Sequence, residues 1–563
     1  MDKRWNLLFE KVNPDSVSAI EKAASVSPLL ALLLAVRGVS AEEASAYLTG
    51  GLSVLHDPYL LKDMDKAVKR IKDAIRDKEK ITVYGDYDVD GISSVAILLS
   101  YLSGEGAHCT FYIPDREKEG YGVNEAAIRK IRESGTNLLI TVDTGITACR
   151  ETELAASLGM DVIITDHHSV GATVPDALAV INPKQSDCPY PFKGLCGAGV
   201  AFKLVSALMG DTKRAVTEYC DIAALATIAD VVPLTGENRA ITALGLRKMR
   251  KMPSLGLSAL LEASGVSADS LTSYQISFYI APRLNAAGRM GSCIPAVRLL
   301  ITDSETEAKE IAAGLDNQNA ARKMAGDGIL EEALALIEKG DFENRKVIVL
   351  AHEGWHHGII GIIASKLTEQ FWKPTILISK DGEEGKGSGR SIPGLNLFEA
   401  LQSAAPLLSR YGGHALAAGL TIPTENIEAL SDALCTYADT VLSEEQMVPS
   451  IDIDAPLDIT LPLLRVAETL EVLEPFGAEN AKPVFLLSDV SISSIRTSKD
   501  NKHLFLRLFR DGTSVECVAF GRGNLAENLE RGDTLDVVGT LHINHYGGQS
   551  TPQIILQDLR RKQ

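Results

Sequence analysis

Between Lys80 and Asn182 short apolar runs alternate with amphipathic stretches: KITVY then ISSVAILLSYL, HCTFYI then NEAAIRKIRE, NLLITV then TACRETELAASLG, and finally DVIIT and AVIN. Brief β-rich runs followed by segments of 3.6-residue period predict a parallel sheet with helical crossovers. Upstream, residues 1–75 read as helical. LLALLLAVRG precedes SAEEASAYL, where Ser40 is an N-cap and Glu43 stands at capping-box spacing. Residues 241–340 are mostly helical and end in SETEAKEIAAGLDNQNAARKMAGDGILEEALALIEKG, long enough to connect two domains. A second, smaller α/β unit spans 341–445, from RKVIVLAHEGWHHGIIGIIASKLTEQFWKPTILIS through GKGSGRS to YGGHALAAGLTI. From 446 to 563, short alternating strands separated by Gly, Asp and Asn turns predict a closed β-barrel of the oligonucleotide-binding type. The domain boundaries expected are therefore 1–75, 76–240, 241–340, 341–445 and 446–563.

Composition bounds this picture without changing it. A chain of 563 residues, 45% hydrophobic and 23% charged, can bury several cores. Its eight cysteines form no CxxC pair, Cys188 and Cys196 being nearest in sequence, so neither a zinc ribbon nor a disulfide framework is indicated and a reducing cytoplasm fits. MDKRWNLLFEKV lacks a signal-peptide pattern, and the apolar stretch Pro28 to Val36 is far below the roughly 18 residues of a membrane span, so no membrane role is implied. The net charge of −18 argues at first sight against a polyanionic substrate. A site for divalent cations, however, must concentrate carboxylates, and phosphate contacts need only a few arginines in one cleft.

Candidate chemistry lies at the strand ends. Asp86, Asp88 and Asp90 occupy alternate positions in GDYDVDG, where the first strand gives way to a helix and where open α/β sheets bind ligands. Such clustered like charge is costly unless cations neutralise it. A solvated acidic loop or a calcium loop is the alternative, although the downstream glutamate of an EF-hand is missing. The next strand ends carry Asp143 and Asp166-His167-His168, and Asp230 follows an apolar helix in IADVVPL. Hard oxygen ligands with one or two imidazoles suit Mn²⁺ or Mg²⁺ better than a structural zinc. Further on, Ser388 and Arg390 in GSGRS and His414 in YGGH are expected on glycine-rich loops that offer backbone N–H groups and a guanidinium to phosphate; such a string alone is more often a simple turn, and it is the two together that favour phosphate recognition. His356, just before IIGIIASKL, and Lys366, near its end, are candidates for contact with substrate and with a phosphate respectively, or for a structural role at the helix start.

GDYDVDG, VDTG, TDHH and ADVVPL, in this order, resemble the four motifs of the DHH phosphoesterase superfamily, and the downstream GSGRS and YGGH are similar to its RecJ branch of single-strand-specific 5′→3′ DNA exonucleases. The resemblance covers the whole chain. It implies a DHH parallel-sheet domain joined by a long helix to a smaller DHHA1 α/β domain, followed by an OB-fold barrel, with two Mn²⁺ or Mg²⁺ ions as cofactor. Asp88 and Asp90 match the first-motif ligands, Asp143 the second, His167 the third and Asp230 the fourth. Many members carry a histidine where this chain has Tyr84, which leaves Asp86 or His168 to complete the second ion's ligand set. Arg283, Arg289, Asn319 and Arg322 match positions that line the strand path, a domain-interface ion pair being the alternative for each arginine.

The implied reaction is metal-assisted phosphodiester hydrolysis on single-stranded DNA, in repair and recombination, with a single-strand-binding protein and a helicase as candidate partners. In the barrel, Tyr546 and Arg507 are candidates for strand contact, whereas alternation assigns Phe505 to core packing. Two other readings compete: a DHH phosphohydrolase of short oligonucleotides or cyclic dinucleotides, whose chemistry needs no terminal barrel, and a catalytically silent replication scaffold, which has no physical reason to retain so much like charge.

Overall fold

The computed structural model describes residues 3–116, 118–120, 122–340, 342 and 344–562. Two compact units emerge. The larger holds Trp5–Asn285, Cys293–Ala313 and the chain from Asp452 onward; the smaller holds Ala286–Ser292 and Gly314–Ile451.

The larger unit opens with α1 (Pro14–Ala24), α2 (Pro28–Val36), α3 (Ala41–Thr49) and α4 (Met64–Arg76). Ser27 caps α2 by accepting from Leu30 N, and Ser40 with Glu43 forms the full reciprocal capping box of α3. Apolar nearly all round, α2 buries Leu30, Ala31, Leu33 and Leu34 in one core together with Leu506, Leu508, Val537 and Ile554 of the C-terminal barrel. Residues 1–75 therefore own no separate core. By length and composition α1 and α2 pass together as a bent candidate span, but no single helix among the described residues is long and apolar enough to cross a membrane.

Next come β1 (Lys80–Tyr84), α5 (Val89–Gly104), β2 (His108–Tyr112), α6 (Glu125–Glu133), β3 (Leu138–Val142), α7 (Cys149–Ser157), β4 (Asp161–Thr165) and β5 (Ala179–Ile181). The strands form an all-parallel sheet of order β2-β1-β3-β4-β5. Their near-continuous apolar composition fits a sheet covered on both faces. Since β1 lies between β2 and β3, the chain leaves it to one side and returns on the other, and the crevice at such a switch point opens beyond the strands' C-terminal ends.

Three helices, α8 (Gly197–Met209), α9 (Thr212–Ala229) and α10 (Gly236–Lys251), complete the domain. A clamp whose Lys203, Glu237 and Tyr190 are fully buried ties them to the N-terminal segment: Lys203 Nζ donates to Glu237 and to His56 O (2.9 Å), while Tyr190 OH and His56 N also donate to the Glu237 carboxylate. After α11 (Ala281–Met290), the 35-residue α12 (Glu305–Lys339), about 52 Å long, carries the chain from one unit to the other.

In the smaller unit, β6 (Ile348–Glu353), α13 (His357–Phe371), β7 (Thr375–Asp381), β8 (Glu384–Arg390), β9 (Arg410–Gly413), β10 (Ala417–Pro423) and α14 (Ile427–Val441) build a mixed sheet of order β9-β10-β8-β7-β6. GKGSGR is thus the central strand β8, not a loop. Its backbone is laddered to β7 and β10, so the expected free N–H cradle does not exist. Glycine is needed there because a Cβ on Gly387 would lie 2.9 Å from Leu420, and one on Gly389 2.8 Å from Leu397. YGGH likewise runs through strand β9.

The barrel comprises β11 (Val484–Thr497), β12 (Leu504–Arg510), β13 (Thr513–Ala519), β14 (Thr534–Tyr546) and β15 (Gln549–Arg561), closed by the β11–β14 pairing. Leu504, Leu506 and Leu508 point inward. Phe505 takes the outer face instead of the core, with the Arg496 guanidinium 5.5 Å from its ring centroid, and Tyr546 is exposed.

Candidate metal centre

Three strand ends and one helix end converge. Asp88 is the N-cap of α5: its Oδ1 accepts from Asp90 N (2.9 Å) and Gly91 N (3.0 Å). Two residues on, in the first turn, Asp90 is buried and accepts from Gly197 N (2.6 Å) and Ala198 N (2.7 Å) at the start of α8, where the helix dipole favours a carboxylate. Gly91 permits the tight turn, because a Cβ there would sit 2.5 Å from Asp86 O. Asp143 ends β3 in a left-handed conformation (φ 58°), and Val231, just after Asp230, does the same (φ 57°). A left-handed β-branched residue is uncommon, and such strain concentrates at functional sites.

His167 Nε2 stands among three carboxylates, 3.1 Å from Asp143 Oδ1, 3.6 Å from Asp90 Oδ2 and 3.8 Å from Asp230 Oδ2. Ligand atoms lie within 4.8 Å of one another in three overlapping groups: Asp143, His167 and His168; Asp90, His167 and Asp230; and Asp86, Asp88 and Asp143. Both Asp86 and His168 are therefore within reach of a shared site. Tyr84 is not part of it; it is buried, donates to Gly122 O and stacks on Tyr112.

Electrostatics make this cluster untenable as bare carboxylates. Burial, then the charge of Asp88, pushes Asp86 up to about 8, and burial followed by Asp90 and Asp88 pushes Asp230 up to about 8. Asp143 is raised well above the usual carboxylate range by burial and by Asp90, while burial pulls His167 below the usual imidazole value. Asp86 Oδ1, Asp143 Oδ1 and His167 Nδ1 are buried without a hydrogen-bond partner. Orphaned oxygens and an imidazole around one point form a donor set that fits hard divalent cations.

The sequence places Asp166 beside the two histidines at a strand end but assigns it no part of its own; in the structure it orders the motif. Its Oδ1 accepts from His167 N, His168 N and His168 Nδ1 (2.7 Å), and its Oδ2 accepts from Ile146 N. Burial pulls His168 down, but the Asp166 hydrogen bond and the charges of Asp166, Asp230 and Asp90 together leave that imidazole raised. A carboxylate holding one ring nitrogen fixes the tautomer and aims the other. Asn285, whose Oδ1 accepts from Val89 N beside Asp88, was also passed over, although it lies between the two arginines singled out in PRLNAAGRMG.

The remaining candidates, Arg283 apart, belong to the smaller unit. Arg289 Nη1 donates to Gly358 O (3.0 Å), next to His356, the N-cap of α13, which accepts from Gly358 N. One turn along, a Cβ on Gly361 would meet Ser388 Oγ at 2.8 Å and the Arg390 guanidinium at 3.2 Å. Arg289, His356, Ser388 and Arg390 thus gather around the first turns of α13. Arg390 Nη1 donates to Ser388 Oγ (3.2 Å) and Gly389 O (2.7 Å). Elsewhere on the unit, Asn319 Oδ1 accepts twice from Arg322, Lys366 lies 3.8 Å from Asp327, and His414 is exposed just beyond β9. Arg283, in the larger unit, is buried and donates to Tyr279 O.

The family profiles match along the chain: the DHH family N-terminal domain over residues 80–227, the DHHA1 domain over 344–440 and the RecJ OB domain over 453–558. Fold and site together define a phosphoesterase of the DHH/DHHA1 class. The single-stranded-DNA-specific exonuclease RecJ of Bacillus subtilis (strain 168) is 40% identical over 559 residues, covering 99% of this chain and 70% of that protein, and the Salmonella typhimurium enzyme of the same name is 33% identical over 96% and 97%. A crystal structure of RecJ in complex with Mn²⁺ from Thermus thermophilus superposes with a TM-score of 0.86 at 33% identity, over 100% of this chain and 80% of that one; the Mg²⁺ complex from the same organism gives 0.81. The chain belongs to the RecJ family of single-stranded-DNA-specific exonucleases.

Proposed function

We propose that the chain is a divalent-metal-dependent exonuclease that digests single-stranded DNA in the 5′→3′ direction, serving DNA repair and recombination in the cytoplasm. The observation that carries this reading is the set of overlapping ligand groups sharing Asp143 and His167 at the switch point of the parallel sheet. Asp86, Asp88, Asp90, Asp143, His167 and Asp230 hold two ions, Mn²⁺ or Mg²⁺, and His168, aimed by Asp166, acts with them at the reacting phosphate. Cations bound there supply a water of lowered pKa and offset the charge on the phosphate. Asp90 is kept in place by two backbone donors and Asp88 by its capping role, so neither ligand must reorganise as the strand is engaged.

In the smaller unit, Arg289, Asn319, Arg322, His356, Lys366, Ser388, Arg390 and His414 bind the strand. Arg390 presents a guanidinium anchored by Ser388 and Gly389, suited to bidentate contact with phosphate oxygens. Polarity, and association with a single-strand-binding protein and a helicase, rest on the family resemblance.

The test is digestion of a long single strand, labelled at either end, with and without Mn²⁺, beside a duplex and a cyclic dinucleotide. Early release of the 5′ label from the single strand alone is expected, with Asp143→Ala and His167→Ala inactive but still binding DNA. Metal-independent digestion, or wild-type turnover by either folded variant in excess Mn²⁺, refutes the assignment.

A further inference from the structure

An aromatic cluster stands on the segment leading into α11. Ser273–Gln275 forms a helical turn, capped by Thr272 and Gln275, and continues through a π-helical turn, Ile276–Ile280, into α11. Ile276, Ile280 and Leu284 are fully buried, and Ser273 Oγ donates to Phe476 O, so this segment is firmly seated. Its other face carries Tyr274, Phe278 and Tyr279, which are 60%, 61% and 43% exposed. Tyr274 and Phe278 lie with ring centroids 4.6 Å apart at 35°, and Tyr279 joins them with its centroid 6.4 Å from that of Tyr274.

The π turn explains how three rings share one face. In an α-helix, residue i+5 stands about 140° around from residue i, and Tyr279 would point away from Tyr274. An i→i+5 turn brings the two together, and such turns appear frequently at functional sites. Along the sequence the segment is short of acid: from Ser270 to Thr302 the chain carries Arg283, Arg289 and Arg298, the last paired with Glu307, and not one Asp or Glu, in a protein of net charge −18. The same continuous helical segment reaches the metal centre, since Asn285 Oδ1 accepts from Val89 N beside Asp88. At 1.5 Å per residue, Tyr279 and Tyr274 stand about 9 and 16 Å back along the axis from Asn285. That span corresponds to roughly three to five nucleotides at about 3.4 Å per stacked base.

We infer that Tyr274, Phe278 and Tyr279 form a stacking platform for unpaired nucleobases of the DNA substrate, three to five nucleotides from the carboxylate cluster. The inference rests on the proposed single-strand specificity and deepens it. Stacking tolerates any base, because every base has a π-face, but it requires bases that are unpaired and splayed, so the platform selects for single strands without reading sequence.

Binding is read in EDTA, with wild type, Tyr274→Ala/Tyr279→Ala and Phe278→Trp, using a 5′-phosphorylated oligothymidylate of about 12 nucleotides and a 5′-phosphorylated dinucleotide. We expect the oligomer to change the Phe278→Trp emission and the double variant to bind it roughly 10- to 100-fold more weakly, with the dinucleotide bound equally by all three proteins. In Mn²⁺, KM for the oligomer rises with kcat retained, and abasic residues at the third to fifth nucleotides reproduce that loss in the wild type but add little in the double variant. Circular dichroism checks the fold, and the Phe278→Trp titration carries the test if the double variant misfolds. Unchanged emission together with unchanged affinity, in a protein whose wild type binds and cuts the oligomer, overturns the platform and points to a protein occupant for the aromatic face. A wild type that neither binds nor cuts the oligomer overturns the proposed function itself, and the platform with it.

Discussion

Gly197→Ala tests the metal centre without touching a ligand. A methyl at this position would lie 2.5 Å from both Cβ and Oδ1 of Asp143, at least about 1 Å inside the optimal contact distance. Neither side yields easily: Asp143 sits in a left-handed turn after β3, and Gly197 N is bonded at 2.6 Å to Asp90, the neighbouring carboxylate. Relief therefore moves Asp143, or the start of α8 and Asp90 with it. Loss of an outer contact to a metal ligand typically weakens affinity about 10- to 100-fold, and here a direct ligand is displaced, so the upper end applies: roughly 100-fold, or about 2.7 kcal/mol. A misplacement of about 1 Å costs turnover by a similar factor. Gly199→Ala, two residues along the same helix, is the control, because its methyl would meet Leu195 at 3.3 Å and Cys196 Sγ at 3.7 Å, neither of them a ligand. Calorimetric titration with Mn²⁺ and single-strand cleavage at saturating Mn²⁺ measure both effects. If Gly197→Ala binds Mn²⁺ within about threefold of wild type, or if Gly199→Ala is impaired equally, the packing of α8 against Asp143 does not position the ligands.

Four other perturbations follow from the same contacts. Asp143→Asn removes one of several crowded buried carboxylates, so the metal-free variant should melt above metal-free wild type and lose the stabilisation by excess Mn²⁺, which is about 2.7 kcal/mol at 100 times Kd; a lower melting point speaks against electrostatic crowding. Lys203→Met leaves Glu237 buried without its cation and should cost about 3–5 kcal/mol in urea unfolding, partly recovered by adding Glu237→Gln; no recovery means the loss is one of packing alone. Arg390→Lys should lower kcat/KM roughly 10- to 100-fold with Mn²⁺ affinity unchanged, and a collapse of metal binding would make Arg390 structural. Deleting residues 450–563 alone uncovers Leu30, Leu33 and Leu34 and should aggregate, whereas deleting 1–50 as well should give a dispersed enzyme with kcat retained and KM for long strands roughly 10-fold higher; unchanged KM refutes a grip by the barrel.

What the sequence made legible, and what it hid, divides along a physical line. β1 and β3 were readable because a sheet covered on both faces demands continuous apolar runs, and Asp86 and Asp143 stood out because nothing in folding favours carboxylates at the ends of such runs. Ser40 and Glu43 were readable because a capping box is closed within one turn. GKGSGR was misread as a loop because glycine is depleted in strands; it is the central strand because Leu420, Ile376 and Leu397 press on it, and they are set by the tertiary fold. Phe505 was misplaced for a related reason. In LFLRLF the in-phase and out-of-phase positions are both mostly apolar, so period alone cannot say which face is inside, and the set Leu504, Leu506 and Leu508 prevails by filling the barrel. Lys203 and Glu237 each pass for a solvated helix charge until α8 and α10 are packed together. The ligands to a metal are conspicuous because they oppose stability before the ion binds, whereas Asp166, Gly197 and Asn285, which aim them, satisfy ordinary bonding and packing needs and become functional only through what they touch.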